Sequence, residues 1–432
     1  MAIKHKYLQH YLEKKCDDSL YSDQLATSSN TDIVVVIPCY KESLAIIKET
    51  LDSLSAAEKG QLEIKVLLLI NYKENDSKSI QENSVKLYEE LLLLTSTDPN
   101  TYISIKELKG KHKGVGMARK VLMDAAFLHF LSYSSNGLIV NLDADTLVES
   151  NYYKIIAAHF SANPHLEAAS IDFTHRDLKS NPAILHYEFH LNYFIMMQRW
   201  VGLPFAYQTI GSAMCVRAFA YAKENGMNMR QAGEDFYFLH KYSKNETLGD
   251  IYDTTVYPSG RESDRIPFGT GKAVADYNRN EKEQGYTYNP QSFIILKQWL
   301  RVVLVALRDG TNYPESDQPI LSAYLDSIKA RIQFEKVARS SKNFDTRIKH
   351  FFTWFDAFVF FKYLHYCRDN GLENVPSAIA SKALFKLQGW DMNSSDLYEN
   401  LLFLRKKGRE VTDYNNQWRA GLISNPSSTS AS

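Results

Sequence analysis

The sequence has no surplus of either charge: 50 Lys and Arg balance 50 Asp and Glu over 432 residues. Without a basic excess there is no electrostatic footprint for nucleic acid, which is not expected as a partner. Cysteine is scarce. Cys16, Cys39, Cys215 and Cys367 are scattered at spacings that fit no metal knuckle, and a reduced, cytoplasmic setting is the expectation. The opening Met1-Ala-Ile-Lys-His-Lys-Tyr7 lacks the apolar core of a secretory signal. No uncharged apolar run reaches the roughly 18 residues of a bilayer-spanning helix. The nearest stretches, 183–201 and 350–367, are interrupted by Glu188 and Arg199 and by His350, Asp356 and Lys362. Both read as packed helices, with peripheral contact at the inner face of a membrane left open. Internal repeats are absent. Two phosphate-binding motifs also fail: Arg119 stands where Gly114-Val-Gly116 would need its third glycine, and around Gly269-Thr-Gly271-Lys272 the positions of a P-loop hold Ile266 and Ala273.

What is present is an alternation of apolar strands and helical patterns. Ile33-Val-Val-Val-Ile37 is a β-branched run of the kind covered on both faces of a sheet, and it is expected to stop at Pro38, which has no ladder donor. A polar loop and a helix over 44–54 follow. The unit repeats with a strand over 64–70, a loop over 71–77, a helix from 79 to about 94 and a shorter strand over 102–106. A basic, glycine-containing stretch at 110–116 then opens a helix to about 133. Such a series predicts a parallel α/β sheet with its ligand crevice outside the carboxyl ends of the strands. Further patterns give helices over 152–160, 182–202 and 218–224, strands over 167–173 and 251–256, and a glycine turn into a strand at 208–217. Beyond 290 only helices are expected, over 293–307, 320–337, 348–367 and 377–387. The organisation expected is an extension over 1–31, an α/β domain over 32–289, a helical region over 290–424 and a disordered tail over 425–432.

The chemistry centres on Gly137-Leu-Ile-Val-Asn-Leu-Asp143-Ala-Asp145, an apolar strand running into two carboxylates. Alternation along a strand would leave both pointing the same way. Carboxylates that close repel each other unless a cation joins them, and hard divalent ions such as Mg²⁺ or Mn²⁺ suit such oxygen ligands. The loop at 110–116 can offer backbone amides and Lys111 or Lys113 to a phosphate. Gly233-Glu234-Asp235 places a second acidic pair at a helix start, where the dipole would keep it ionised, although capping alone also explains it. The loop at 258–271 carries Arg261 and Arg265 and suits an active-site flap that reaches a diphosphate.

Val36-Ile37-Pro38-Cys39-Tyr40-Lys41-Glu42, Gly114-Val-Gly116-Met-Ala-Arg119, Leu142-Asp143-Ala144-Asp145, Gly211-Ser212 and Gly233-Glu234-Asp235 occur in an order and spacing that resemble the family 2 glycosyltransferases, over about 33–260. The resemblance implies a GT-A fold, a Rossmann-like, mostly parallel mixed sheet flanked by helices. It also implies inverting transfer from a UDP- or GDP-sugar to a saccharide, lipid-linked or small-molecule acceptor. Pro38, Tyr40, Glu42, Asn71, Lys113, Gly116, Arg119 and Asp143 would bind the donor; Gly211, Ser212 and Glu234 would face the acceptor. Asp145 would ligate Mg²⁺ or Mn²⁺, and Asp235 would be the general base. Departures from the pattern are Asn71 where many members carry Asp, and the lack of any His between His240 and His350 to serve as a further metal ligand. The Gln-x-x-Arg-Trp signature of processive relatives is also missing, Gln198-Arg199-Trp200 being too tightly spaced. A sugar-phosphate nucleotidyltransferase, disfavoured by the Pro-Cys-Tyr-Lys-Glu first loop, and an inactive nucleotide-sugar-binding scaffold are the alternatives.

Overall fold

The computed structural model describes residues 6–22, 25, 29–262, 269–279, 285–392, 394–411, 414–415 and 417–418. The chain forms two compact units, one of 1–177, 209–242 and 247–272, the other of 178–208, 243–246 and 273–432. The division expected at 289/290 therefore does not mark the boundary: the second unit also takes the long helix after Leu178. The expected tail at 425–432 lies outside the described residues.

The first unit is built on an eight-stranded sheet. Its strands are β1 (Ile33–Cys39), β2 (Ile64–Lys73), β3 (Thr101–Leu108), β4 (Leu138–Asn141), β5 (Leu147–Val148), β6 (Ala168–Phe173), β7 (Met214–Arg217) and β8 (Leu248–Tyr257), in the order β3-β2-β1-β4-β7-β6-β8-β5. β1 pairs in parallel with β2 and β4, and β2 with β3. β7 runs antiparallel to β4 and to β6, β8 runs parallel to β6, and β5 closes the edge antiparallel to β8. The carboxyl ends of β1, β2, β3, β4, β6 and β8 therefore share one edge, where β7 begins. This is a GT-A-like α/β fold.

Ile33 to Ile37 are fully buried, as a β-branched run in the middle of a sheet requires. The strand does not stop at Pro38, which pairs with Leu69 in register. Val36 O accepts from Leu142 N, so by alternation the donor that Pro38 lacks would face the β4 side, and β4 has already ended. The helices packed with this sheet are α2 (Leu44–Ala56), α3 (Lys78–Leu94), α4 (Val115–Ser132), α5 (Tyr152–Ala162) and α7 (Ala218–Lys223). α4 is buried on nearly every side, with Ala118, Val121, Leu122, Ala125, Ala126 and Phe130 all sealed, as expected for a helix apolar around most of its circumference.

The N-terminal segment expected as an extension is instead part of this unit. α1 (Lys6–Lys14) places the Tyr11 hydroxyl 2.5 Å from Asp124 Oδ1 of α4, which also accepts from the Tyr221 hydroxyl at 2.7 Å. Asp124 Oδ2 accepts from Lys120 Nζ at 2.7 Å and from Asp17 N at 2.8 Å. A buried carboxylate is tolerable only when paired and hydrogen-bonded in this way.

Among the described residues the second unit is helical apart from a two-residue pairing of β9 (Tyr286–Thr287) with β10 (Val375–Pro376). Its helices include α6 (Pro182–Val201), α10 (Pro290–Asp309), α11 (Pro319–Ser327), α12 (Ala330–Ser340), α13 (Phe344–Trp354), α14 (Ala357–Asp369), α15 (Ser377–Gln388) and α16 (Leu397–Arg409). Asn181, Asn289, Asn343, Asp356 and Asp396 each accept a backbone N–H in the first turn of the helix they open, and Pro182, Pro290 and Pro319 occupy first positions. The single helices expected over 320–337 and 348–367 are each two: Lys329, at φ +54°, interrupts the first, and Asp356 caps a new start in the second. Among the described residues α10 is the one helix long and apolar enough to cross a membrane by composition. It buries Phe293, Leu296, Trp299, Leu300, Val303 and Leu307 within its unit.

Candidate functional site

The shared edge of the first unit collects the loops after β1, β2, β4, β6 and β8. At its centre is Arg119 of α4, a buried side chain. Its Nη2 donates to Asp143 Oδ1 at 2.6 Å and its Nε to Glu234 Oε1 at 3.1 Å. Nη1 is buried without a hydrogen-bond partner among the described residues. Burial alone would lower the Arg119 pKa, but Asp143, Glu234 and Asp235 together outweigh it and hold the guanidinium charged. Gly211 makes room for this group: a Cβ there would lie 2.5 Å from Arg119 Nη2 and 3.3 Å from Asp235 Oδ2. Ser212, beside it, is buried.

Asp143 and Asp145 do not share a partner, contrary to the expectation from strand alternation. β4 ends at Asn141, and Thr146 N donates to Asp143 O at 3.1 Å, so the pair sits on a turn rather than on a strand. Asp143 turns to Arg119. Asp145 Oδ2 instead accepts from Arg261 Nη2 at 2.9 Å, and the same guanidinium pairs with the buried Glu42 carboxylate. Arg176, in the loop after β6, donates through Nη2 to Asp145 O at 3.1 Å and through Nη1 to Glu49 Oε2 at 3.1 Å. Arg265, the other arginine expected in a flap, lies outside the described residues.

α8 (Glu234–Lys244) begins with the second acidic pair. Here the helix dipole that favours ionisation is opposed at Asp235 by its surroundings. Its carboxyl is pushed from 3.8 up to about 7, first by burial and then by Glu234, against the opposing hydrogen bond from Phe236 N and the charge of Arg119. Desolvation and a like charge next door exceed the partial charge of a helix end. Gly114 and Gly116, at the start of α4, lie against the loop that leads into this pair. A Cβ on Gly116 would stand 2.3 Å from Arg230 O and 2.8 Å from Asn228 O, and Asn228 Nδ2 donates to Glu234 O at 2.7 Å. Gly116 is thus placed to pack backbone on backbone.

At the other side of the crevice the Tyr40 hydroxyl donates to Asp76 Oδ1 at 2.9 Å, and Lys41 and Lys73 lie 5.0 Å and 4.6 Å from its ring centre. Asn71, paired with Lys106 in the ladder, is buried with its Oδ1 unpartnered among the described residues. Lys113 Nζ lies 3.1 Å from Glu74 Oε1, which also accepts from Gly110 N at 3.0 Å. These bonds hold the Glu74 carboxyl below its ordinary range.

The edge thus gathers Pro38, Tyr40, Glu42, Asn71, Arg119, Asp143, Asp145, Gly211, Glu234, Asp235 and Arg261 from strand ends, helix starts and loops far apart in sequence. Sequence reasoning missed Arg176. Its signal is positional, three residues beyond the carboxyl end of β6, at the edge where the crevice lies, but no motif marks it.

Among the described residues no group of three or more His, Cys, Asp or Glu side chains is placed to hold a metal. Asp145 and Glu42 are hard oxygen donors drawn to one cation, Arg261. Two carboxylates fit a Mg²⁺ or Mn²⁺ ion only with phosphate oxygens and waters completing its shell, which is how such ions are commonly held.

Fold and site define an α/β protein of GT-A-like architecture with an acidic, arginine-bridged crevice. Neither a protein-family model nor a curated protein matches the sequence. Among solved structures the chain is similar to S. aureus TarS 1–349 in complex with UDP-GlcNAc, at 15% identity over 84% of this chain and 93% of that one, with a TM-score of 0.39. It is also similar to the mannosyltransferase PcManGT from Pyrobaculum calidifontis in complex with GDP-Man and Mn²⁺, at 14% identity over 93% of this chain and 92% of that one, TM-score 0.36. At such values the likeness assigns this chain neither donor nor acceptor.

Proposed function

We propose that the chain transfers a sugar from a UDP- or GDP-sugar to an acceptor hydroxyl, inverting the anomeric carbon, as a family 2-like glycosyltransferase. The observation that carries this reading is the Arg119 bridge. One buried guanidinium ties Asp143, at the end of β4, to Glu234 beside Asp235, a carboxyl poised near neutrality. Direct displacement needs a cationic place for a leaving diphosphate and, opposite it, one group to take the acceptor's proton. Arg261 and Arg176, converging on Asp145, supply the first, and Asp235 the second. In the step the acceptor oxygen bonds to the anomeric carbon as the bond to the diphosphate breaks, and the hydroxyl proton passes to Asp235.

On the donor side Tyr40 offers a ring for the base, and the orphaned Asn71 Oδ1 can accept from the ring N–H of uracil or guanine. Asp143, its side chain 41% exposed despite the Arg119 pair, is accessible to the ribose. A bound Mg²⁺ or Mn²⁺ would supply further charge stabilisation of the diphosphate, held by Asp145 with Glu42 close by. Gly211, Ser212 and Glu234 border the acceptor approach.

The test is a panel of UDP- and GDP-sugars with Mg²⁺ or Mn²⁺, read by thermal stabilisation and by release of nucleoside diphosphate. At least one donor should stabilise the protein and be consumed, with consumption lost in Asp235→Asn. If no nucleotide sugar stabilises the protein or is consumed under any metal condition, the reading fails.

A further inference from the structure

Outside the crevice, the second unit contains a cationic pair with no acid bonded to it among the described residues. Lys297 and Arg301 are one turn apart on α10, both partly buried. Lys297 Nζ donates to Trp200 O at the carboxyl end of α6 and sits 4.0 Å from the centre of the Trp200 ring. Trp200 is itself fixed, its Nε1 donating to Leu387 O at 3.2 Å. Lys297 thus has a helix end to cap, whereas Arg301 has nothing comparable: its Nε is buried and finds no partner among the described residues. Like charges at this helical spacing disfavour the helix, and a buried donor left unpaired is costly. An anion between the two would answer both the repulsion and the unpaired donor.

We infer that Lys297 and Arg301, beside Trp200, form a binding site for a phosphoryl group, distinct from the crevice of the first unit. Two neighbouring cations match the charge of a phosphate, and the guanidinium fork takes two of its oxygens side by side while the ammonium acts as a point charge. Consistent with this, burial and then the charge of Arg301 push the Lys297 amine down to about 8, a strain that a bound anion would relieve. The phosphoryl group can belong to a soluble phosphate ester or to a lipid headgroup. Val302 and Val305, 53% and 46% exposed on the same helix, lie next to the pair in sequence.

Inorganic phosphate is the probe, with the full chain and chloride controls at matched ionic strength. The wild type should show a saturable rise in melting temperature at millimolar phosphate. Arg301→Gln should lose that rise, while melting no lower than the wild type without phosphate because the lost charge was unpaired. Arg261→Gln, altered in the crevice only, should keep the rise, which separates this site from any phosphate effect at the proposed diphosphate position. Arg301→Lys, retaining charge without the fork, should respond more weakly and serves if Arg301→Gln does not fold. Flotation with phosphatidylglycerol but not phosphatidylcholine vesicles, lost in Arg301→Gln, would assign the group to a lipid. A phosphate response without flotation would assign it to a soluble ester. The inference is overturned if the wild type responds no more to phosphate than to chloride, which leaves ordered water on Arg301, or if the Arg301 variants respond as the wild type does.

Discussion

Burial and Glu234 raise the Asp235 carboxyl from 3.8 to about 7, with opposite consequences for turnover and stability. A base must be deprotonated to act, so kcat/KM should rise with pH through an acid limb near 7. Removing the base should cost Asp235→Asn about 10²–10⁴ in turnover, with donor affinity within a few-fold of wild type. Glu234→Gln removes the like charge and should move the acid limb to lower pH while weakening acceptor binding; an unmoved limb would show that Asp235 does not titrate it. For stability the sign reverses. A folded-state pKa above the unfolded one means the native protein binds the extra proton, so this group's contribution is full below pH 3.8 and falls until pH is past about 7. Asp235→Asn should therefore melt higher than the wild type at pH 8, with the gap closing towards pH 4. Asp145 supports a separate expectation. Isothermal titration should find nucleoside diphosphate binding weakened by chelator in the wild type and insensitive to it in Asp145→Asn. Equal wild-type affinity with and without chelator would remove the metal from the reading.

The start of α4 is where element geometry and catalysis meet. A methyl on Gly116 would meet the Arg230 and Asn228 carbonyls, neither of which can rotate away. Gly116→Ala should cost about 1–3 kcal/mol by overpacking. It should also lower turnover more than donor affinity, since the displaced loop carries Asn228, which holds the Glu234 carbonyl. Denaturant unfolding and steady-state kinetics on one preparation would check both. The glycine itself was legible in the sequence, but its neighbour 114 residues away was not. β1, β2, β4 and α4 were also legible, because runs buried on both faces announce themselves without knowledge of their partners. Boundaries set by those partners were less so. Pro38 remains in β1 because β4 ends early, and α9 (Thr270–Arg279), whose first residues read as loop, is polar on average and buries only Val274 and Ala275. The break at Lys329 has no Gly or Pro to mark it. At the site, the two acidic pairs stood out as local motifs. Their arginine partners were legible in part: Arg119 and Arg261 belong to sequence motifs, but that Arg119 bridges Asp143 to Glu234 and that Arg261 joins Asp145 to Glu42 follows from folding alone, and Arg176 belongs to no motif.

Across the whole molecule the two compact units imply that ligands should protect different parts of the chain. A nucleoside diphosphate at 100 times its dissociation constant adds about 2.7 kcal/mol to the unit that binds it. Hydrogen exchange with that ligand should slow amides in β1, β4 and the start of α8 and leave α13 and α14 unchanged. Uniform slowing, or slowing confined to the helical unit, would place the nucleotide elsewhere. A different consequence follows from the docking of α1. Tyr11 is made early, yet its hydroxyl neighbours Asp124 and Tyr221 come 113 and 210 residues later. At a synthesis rate of about 5–20 residues per second, α1 must wait on the order of 10–40 s after leaving the ribosome before its last partner exists. During that interval the apolar side of α1, with Leu8 and Tyr11, is exposed to whatever binds nascent chains. A ribosome stalled before residue 221 should therefore display a first helix open to proteolysis that the finished protein shields.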